Sequence, residues 1–361
     1  MKRFEPGGFA PALAPLSGLY GLGVRVRESL FRSGLRRSHR LPVPVICIGN
    51  ITTGGTGKTP LAAAIAGHLR DRGRHVVILS RGYGRVSKEQ PLVVSEGSGP
   101  LVGADAGGDE PVLLARRLTG VPIVVGADRR RCGQFAIERL GAEVLLLDDG
   151  FQHRRLARDL DIVVLDCLDP FGGYHLLPAG RLREPIAALA RAGLFVVTRS
   201  APGDGLLTLT GVVRAHNPGA PIVRAGTLVE GFVPGNDPGA APATLDTLRK
   251  ERIAAFCAIG NPEAFRLDLI RLGLTPIRFE SFRDHHRYTQ KELRTLDAEA
   301  RRAGAAALVT TEKDATRLPP AGDRALPVLA LRIRLTFDPE AAFFAAIDEA
   351  ARVTQPQGAA P

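Results

Sequence analysis

Residues 43–60 read Val43-Pro44-Val45-Ile46-Cys47-Ile48-Gly49-Asn50-Ile51-Thr52-Thr53-Gly54-Gly55-Thr56-Gly57-Lys58-Thr59-Pro60. An apolar run, Val43–Gly49, leads into a glycine-rich turn, and Pro60–Arg72 then carries a helical period. Strand, glycine loop and helix in that order form a phosphate cradle. Glycines let phosphate oxygens approach the backbone, and the helix start adds N–H donors and its dipole. A lysine at position 58 reaches the outer phosphates, and the Thr59 hydroxyl is suited to magnesium. The strict pattern has a glycine where Thr52 stands.

Outward from this loop the chain alternates short β-branched runs with helical stretches. His75–Ser80, Pro122–Gly126, Val144–Asp148, Ile162–Asp166 and Leu194–Thr198 read as strands, with helical patterns near 110–118 and 130–140. Strands that are apolar throughout are covered on both faces, so the expected architecture is a parallel sheet between helix layers. The Pro- and Gly-rich stretch Val233–Thr244 marks a boundary. A smaller alternation follows: strand Ala254–Ile259, helix Pro262–Leu272, strand Pro276–Phe279, helix Gln290–Ala303 and strand Ala307–Thr311. Runs Ile222–Val229 and Val328–Leu335 flank it and suit a two-stranded linker. The chain of 361 residues, at roughly 150 per domain, fits two domains. The expected division is 41–222 for the loop-bearing domain and 223–336 for the smaller α/β domain. A C-terminal helix and a disordered tail, Thr354–Pro361, complete residues 337–361.

Residues 1–40 carry eight basic side chains against Glu5 and Glu28, a net of +6 out of +11 for the whole chain. Leu16, Leu19, Leu22, Val26 and Leu30 recur near helical spacing, while Arg25, Arg32 and Arg36 fall within about 40° of one another. Such a basic amphipathic helix suits an anionic membrane surface; packing on the protein's own core is the alternative. Pro11, Pro15 and the absence of a small-residue cleavage site argue against a signal peptide. No apolar run reaches the ~18 residues of a membrane span. The four cysteines are scattered without a CxxC pair, which fits reduced thiols better than zinc or disulfides.

Further polar groups carry chemistry. Val144–Leu147 ends in Asp148-Asp149, where a magnesium carboxylate is expected beside a P-loop. Adjacent strand residues face opposite ways, so the two should differ in role. Gly108-Asp109-Glu110-Pro111 stands at a helix start, where Asp109 is otherwise an ordinary cap. Arg181-Leu182-Arg183-Glu184 follows a Gly- and Pro-rich loop. Asp284-His285-His286 sets an imidazole near a carboxylate, as general bases require.

In order along the chain, these segments resemble the tetraacyldisaccharide 4'-kinases of lipid A biosynthesis. The matching pieces are Gly49-Asn50 with Gly54–Pro60, Ser80–Arg85, Gly108–Pro111, Asp148–His153, Leu177–Pro185, Phe282–Tyr288 and Thr310–Asp314. They span residues 16–335, and Thr52 follows the family's own pattern.

The resemblance implies phosphorylation, with ATP and Mg2+, of the 4'-hydroxyl of a tetraacylated glucosamine disaccharide 1-phosphate, giving lipid IVA. It also implies a peripheral place on the cytoplasmic face of a bacterial inner membrane, and a P-loop domain tied to a smaller domain by two strands. It makes Asp109 the catalytic base, assisted by His285, with Lys58, Asp149 and Arg183 as further catalytic residues. Thr52, Thr53, Gly54, Gly55, Thr56, Gly57, Lys58 and Thr59 bind nucleotide, and Thr59, Glu110, Asp148 and Glu184 lie on the metal side. The membrane surface and the lipid are the expected partners, with no obligate protein partner evident. A membrane-associated P-loop switch ATPase is the alternative. A nucleic-acid ATPase is disfavoured because aromatics are only 5% and no nucleic-acid module is legible.

Overall fold

The computed structural model of the protein describes residues 11–200, 206–235, 244–319 and 325–352. The Thr354–Pro361 tail and most of the Val233–Thr244 boundary lie outside the described residues. The described strands are β1 (Val45–Gly49), β2 (Val76–Ser80), β3 (Leu92–Ser95), β4 (Ile123–Val125), β5 (Val144–Leu147) and β6 (Leu160–Asp166). The chain continues with β7 (Leu194–Thr198), β8 (Ile222–Pro234), β9 (Ile253–Cys257), β10 (Arg278–Ser281), β11 (Ala307–Thr311) and β12 (Val328–Asp338). The first helices are α1 (Ala14–Arg32), α2 (Lys58–Asp71), α3 (Ala104–Gly107), α4 (Asp109–Arg117) and α5 (Arg129–Leu140). Then come α6 (Leu206–His216), α7 (Leu245–Arg249), α8 (Pro262–Arg271), α9 (Gln290–Arg302), α10 (Glu312–Ala315) and α11 (Glu340–Ala350).

All twelve strands join one sheet, in the order β10-β9-β11-β12-β8-β7-β6-β1-β5-β2-β4-β3. Every neighbouring pair is parallel except β3 with β4 and β8 with β12. The β8–β12 pair is therefore not a free ribbon. Its two strands pair from Leu329 with Pro234 to Asp338 with Arg224, and each also joins a parallel neighbour on its outer edge. A register shift between Arg332 and Ile333 interrupts the pairing.

Alternation along β1 shows why its sequence is apolar without a break. Ile46 and Ile48 face the helix layer of α2, α4 and α11, where Leu61, Ile65, Leu69, Val112, Leu114, Phe343 and Ile347 are buried. Val45 and Cys47 face the other layer, with Cys132 and Ala136 of α5. A fully buried Leu or Ile contributes roughly 1.5–3 kcal/mol, so these two layers dominate the fold's stability. The second half repeats the plan, with Phe265 and Leu269 of α8 on one face of β9 and Leu293, Leu296 and Ala300 of α9 on the other.

Local signals start and stop these helices. The Asp128 side chain accepts from the N–H groups of Arg130 and Arg131 at 3.0 and 3.2 Å, and Gly141 ends α5 in the left-handed region. Thr289 and Glu292 form a reciprocal capping box on α9. After β12 the chain returns to the first half, where the His68 ring of α2 stacks on Phe344 of α11 at 4.2 Å.

Several strands depart from expectation: β8 and β12 run on to Pro234 and Asp338, past the expected Val229 and Leu335. The edge strand β10 begins two residues later than Pro276, its pairing with β9 running from Arg278 opposite Ala254 to Ser281 opposite Cys257. The short antiparallel strand β3 was not expected at all.

Helix α1 packs in an unusual sense. Its inward contacts are small or polar: Ser17 Oγ donates to Leu176 O at 3.0 Å, and Tyr20 Oη donates to Arg183 O at 2.9 Å. Only Gly21 is buried, against Leu176, where a Cβ would lie 2.9 Å from Cδ1. Leu16, Leu19, Leu22 and Val26 are each more than half exposed. No helix among the described residues is long and apolar enough to cross a membrane.

Candidate active site

The loop between β1 and α2 is tied down from both sides. Asn50, at the end of β1, donates through Nδ2 to the Thr56 hydroxyl at 3.2 Å and the Thr52 hydroxyl at 3.4 Å. Its Oδ1 accepts from Lys58 Nζ at 3.3 Å and from Arg183. Thr53 N–H donates to Arg181 O at 2.8 Å, and the Thr198 hydroxyl donates to Thr56 O at 3.0 Å. Gly57 sits at φ 89°, a conformation that a side chain would strain, and delivers Lys58 to the first turn of α2. The half-buried Thr59 hydroxyl has no protein partner among the described residues.

Beyond β5 the two carboxylates diverge, as alternation requires. Asp149, at φ 54°, meets Arg183 at 2.8 and 3.1 Å and Lys58 Nζ at 3.7 Å. Burial raises its carboxyl, but the charges of Lys58 and Arg183 outweigh that and hold it at about 2. Asp148 is fully buried and has only a long contact from the Ser80 hydroxyl at 3.5 Å. Burial, then the charges of Glu110 and Asp149, push its carboxyl well above the usual range. Its Oδ1 has no hydrogen-bond partner.

The second half of the sheet closes over this loop. A Cβ at Gly260, just after β9, would lie 3.6 Å from the Gly55 nitrogen. Three carboxylates at or near the start of α4 reach across. Asp109 Oδ2 is 2.8 Å from His285 Nδ1 and 3.4 Å from Arg317 Nε, Glu110 meets Lys313 at 3.3 Å, and Asp105 meets Arg287 at 2.8 Å. Farther along, Arg117 reaches Glu312 at 3.4 Å. Burial raises the Asp109 carboxyl, but the His285 hydrogen bond and the charges of Arg317, His285 and Lys313 hold it below the ordinary value. His285 is in the left-handed region at φ 62°, backbone strain of a kind concentrated at functional sites. Asp109 is positioned by Gly108, whose φ of 93° would strain a side chain and where a Cβ would lie 3.1 Å from Gly82 Cα.

The expected site residues thus fall into one cleft with a single departure. Lys58, Asp149 and Arg183 meet directly, Asp148 and Glu110 are close enough for one charge to shift the other, and Asp109 and His285 are hydrogen bonded. Glu184 is not with them. Its buried carboxylate pairs with Arg191, which also meets Glu28 of α1, so it braces α1 rather than facing the loop.

Several site residues were not singled out from sequence. Asn50 is the hub of the loop, and the Arg317 side chain is buried against Asp109, Asp314 and Ala258 O. The signal for Arg317 was its spacing of three from Asp314. Arg129, at the start of α5, is held by Gly126 O and Ala127 O at 3.1 and 3.0 Å. Tyr83 is exposed and lies 5.4 Å, ring to ring, from His285.

The donor set fits Mg2+ carried by a nucleotide. Magnesium takes one or two carboxylates and completes its shell with phosphates and water, without an all-protein cage. Asp148 offers an unpartnered oxygen and Thr59 an unpartnered hydroxyl, while no group of three His, Cys, Asp or Glu among the described residues forms a cage of its own.

Comparison with known proteins agrees with this geometry. The family profile described as tetraacyldisaccharide-1-P 4'-kinase matches residues 9–352. A tetraacyldisaccharide 4'-kinase of Anaeromyxobacter sp. (strain Fw109-5) is 45% identical over 90% of this chain and 88% of its own. One from Syntrophus aciditrophicus (strain SB) is 42% identical over 94% and 93%. The crystal structure of LpxK from Aquifex aeolicus in complex with ATP superposes with a TM-score of 0.75 at 33% identity, covering 95% of this chain and 99% of that one. The switch-ATPase alternative is not favoured. The chain belongs to the tetraacyldisaccharide 4'-kinase family, phosphotransferases that act on a hydroxyl group.

Proposed function

We propose that Asp109, held by His285, is the proton acceptor when the chain transfers the terminal phosphoryl group of ATP to the 4'-hydroxyl of a tetraacylated glucosamine disaccharide 1-phosphate. The observation that carries this reading is the Asp109–His285 contact at the mouth of the nucleotide loop. Both His285 and Arg317 bind Oδ2 of Asp109, which leaves Oδ1 for the substrate. A sugar hydroxyl is a poor nucleophile until its proton has an acceptor. The proton passes to Asp109 Oδ1 as the sugar oxygen bonds to phosphorus and the bond to ADP breaks.

Lys58 and the loop N–H groups from Gly54 to Thr59 hold the phosphates, since the Thr53 N–H is already engaged by Arg181 O. To do so Lys58 leaves Asp149, which keeps Arg183 as its counter-charge. Asp148, Glu110 and Thr59 form the metal side; magnesium, when bound, neutralises charge on the transferring group. Glu184 is left out of that set because, unlike Glu110, it is not among the charges that act on Asp148, and it pairs with the Arg191 that also meets α1.

The domain division supports the same reading. Residues 41–222 carry the nucleotide loop and 223–336 carry His285, Lys313 and Arg317, so the base is complete only when the two are closed together. Closure of that kind keeps water from the phosphoryl group.

The lipid is presented at a membrane surface. The exposed Leu16, Leu19, Leu22 and Val26 of α1, with the basic charge around them, support peripheral association with the cytoplasmic face of the inner membrane. The reading needs no protein partner. Incubation with ATP labelled in its terminal phosphate and a precursor lacking the 4'-phosphate tests it: label is expected in the lipid, and label found only in free phosphate overturns it.

A further inference from the structure

A cavity of about 210 Å3 beside the start of α5 is lined by Arg36, Arg37, His39, Asp128, Arg130 and Arg155. Four guanidinium groups there face one carboxylate. Asp128 Oδ1 is already engaged by the N–H groups of Arg130 and Arg131. None of the four arginines has an ion pair or side-chain hydrogen bond among the described residues. Their neighbours differ. Arg154 pairs with Glu28, Arg158 pairs with Asp161 at 2.9 Å, and Arg129 is held by two carbonyls.

The frame around these arginines is fixed. His39 N–H donates to Arg155 O at 2.8 Å, Ala157 N–H donates to His39 O at 2.9 Å, and the Ser38 hydroxyl donates to Arg154 O at 2.6 Å. Gln90 Oε1 accepts from the N–H groups of Ala127 and Asp128 at 2.7 and 3.4 Å. Like charges gathered on a braced frame without counter-ions await an anion, and the guanidinium fork matches phosphate.

We propose that this cavity binds a lipid-borne phosphate group. It lies between two features already described. On one side is Arg129, one residue from Arg130, whose charge acts on Asp148 and Asp149. On the other is the end of α1, where the exposed Leu35 immediately precedes Arg36. A phosphate held here anchors a headgroup beside the catalytic cleft. The phosphate belongs either to an anionic bilayer phospholipid or to the substrate itself, and only the second source rests on the kinase reading above.

The test uses the full chain and the variant R36Q/R37Q/R155Q. The control R249Q/R266Q/R271Q removes the same charge from exposed positions on α7 and α8. One arm is flotation with phosphatidylcholine vesicles with and without phosphatidylglycerol. The other is KM for the disaccharide lipid, with and without its 1-phosphate, in neutral detergent micelles. At about fivefold per arginine, a loss of about a hundredfold is expected in the first arm for a bilayer phosphate, or in the second for the substrate's own. ATP affinity and melting temperature remain those of the wild type. Equal losses in the control, or no loss in either arm, overturn the proposal. A wild-type chain that transfers no phosphate overturns the kinase reading instead, and the flotation arm still decides the cavity.

Discussion

His285 Nδ1 stands 2.8 Å from Asp109 Oδ2, although 176 residues separate them in the chain. The contact links the nucleotide-loop half of the sheet to the other half at the point where a proton must be removed. His285→Ala is expected to lower kcat by about 10²-fold, within the usual range for acid–base residues, with KM for ATP little changed. A variant that keeps its kcat makes the contact merely structural.

The same contact has a pH dependence. The Asp109 carboxyl lies below its ordinary value in the folded chain, so its contribution is complete above the unfolded carboxylate range and fades as pH falls through the folded value. Melting temperature followed from pH 7 downward is expected to fall less in Asp109→Asn than in the wild type. Parallel curves contradict the assignment.

Asp148 has the opposite sign. Its folded value is about 7 against 3.8 for the free carboxyl, so between those pH values the folded chain holds a proton that the unfolded chain has lost. Stability contributed by this site therefore declines as pH rises from about 4 to about 7 and is level above that. Asp148→Asn without nucleotide is expected to be more stable than the wild type at pH 8, on the order of a few kcal/mol, with the gain shrinking toward pH 4. A constant difference across that range contradicts a raised carboxyl.

Asp314 ties α10 to β9. Its buried carboxylate accepts from Ala258 N–H at 3.0 Å, the Tyr288 hydroxyl at 3.1 Å, the Thr311 hydroxyl at 2.6 Å and Arg317 at 2.8 Å. Asp314→Ala leaves the Arg317 guanidinium buried without its main partner, at a cost of about 3–5 kcal/mol. Denaturant melts check this, and a change below about 1 kcal/mol contradicts the hub role.

The outward face of α1 makes a separate prediction. Leu19→Glu/Leu22→Glu places charges on exposed positions, so melting temperature is expected to hold while binding to anionic vesicles falls. Unchanged vesicle binding leaves α1 with only its bracing contacts to Leu176 and Arg183.

What could be read in the sequence follows from range. The strand, glycine loop and helix around Lys58 are local, and doubly buried strands such as β1 and β5 announce themselves by unbroken apolar runs. Strand β3 did not, because Leu92–Ser95 spans four residues at a sheet edge. That β8 and β12 merge the two halves into one sheet depends on lateral pairing, which no local pattern encodes. Asp109 and His285 were legible as types suited to proton transfer, but their meeting depends on closure of distant segments. Glu184 follows Arg183 in the chain, yet Arg183 turns toward Asp149 and Glu184 toward Arg191. Asn50 and Arg317 act by holding other residues in place, a role that residue type alone does not reveal.

The most direct measurement compares Asp109→Asn with the wild type in two assays on one preparation: ATP affinity, and transfer of labelled phosphate to the disaccharide lipid. The amide keeps the shape of the side chain but cannot accept the hydroxyl proton. The expected result is unchanged ATP affinity with transfer lowered by about 10³-fold or more. Transfer within a fewfold of the wild type contradicts the account.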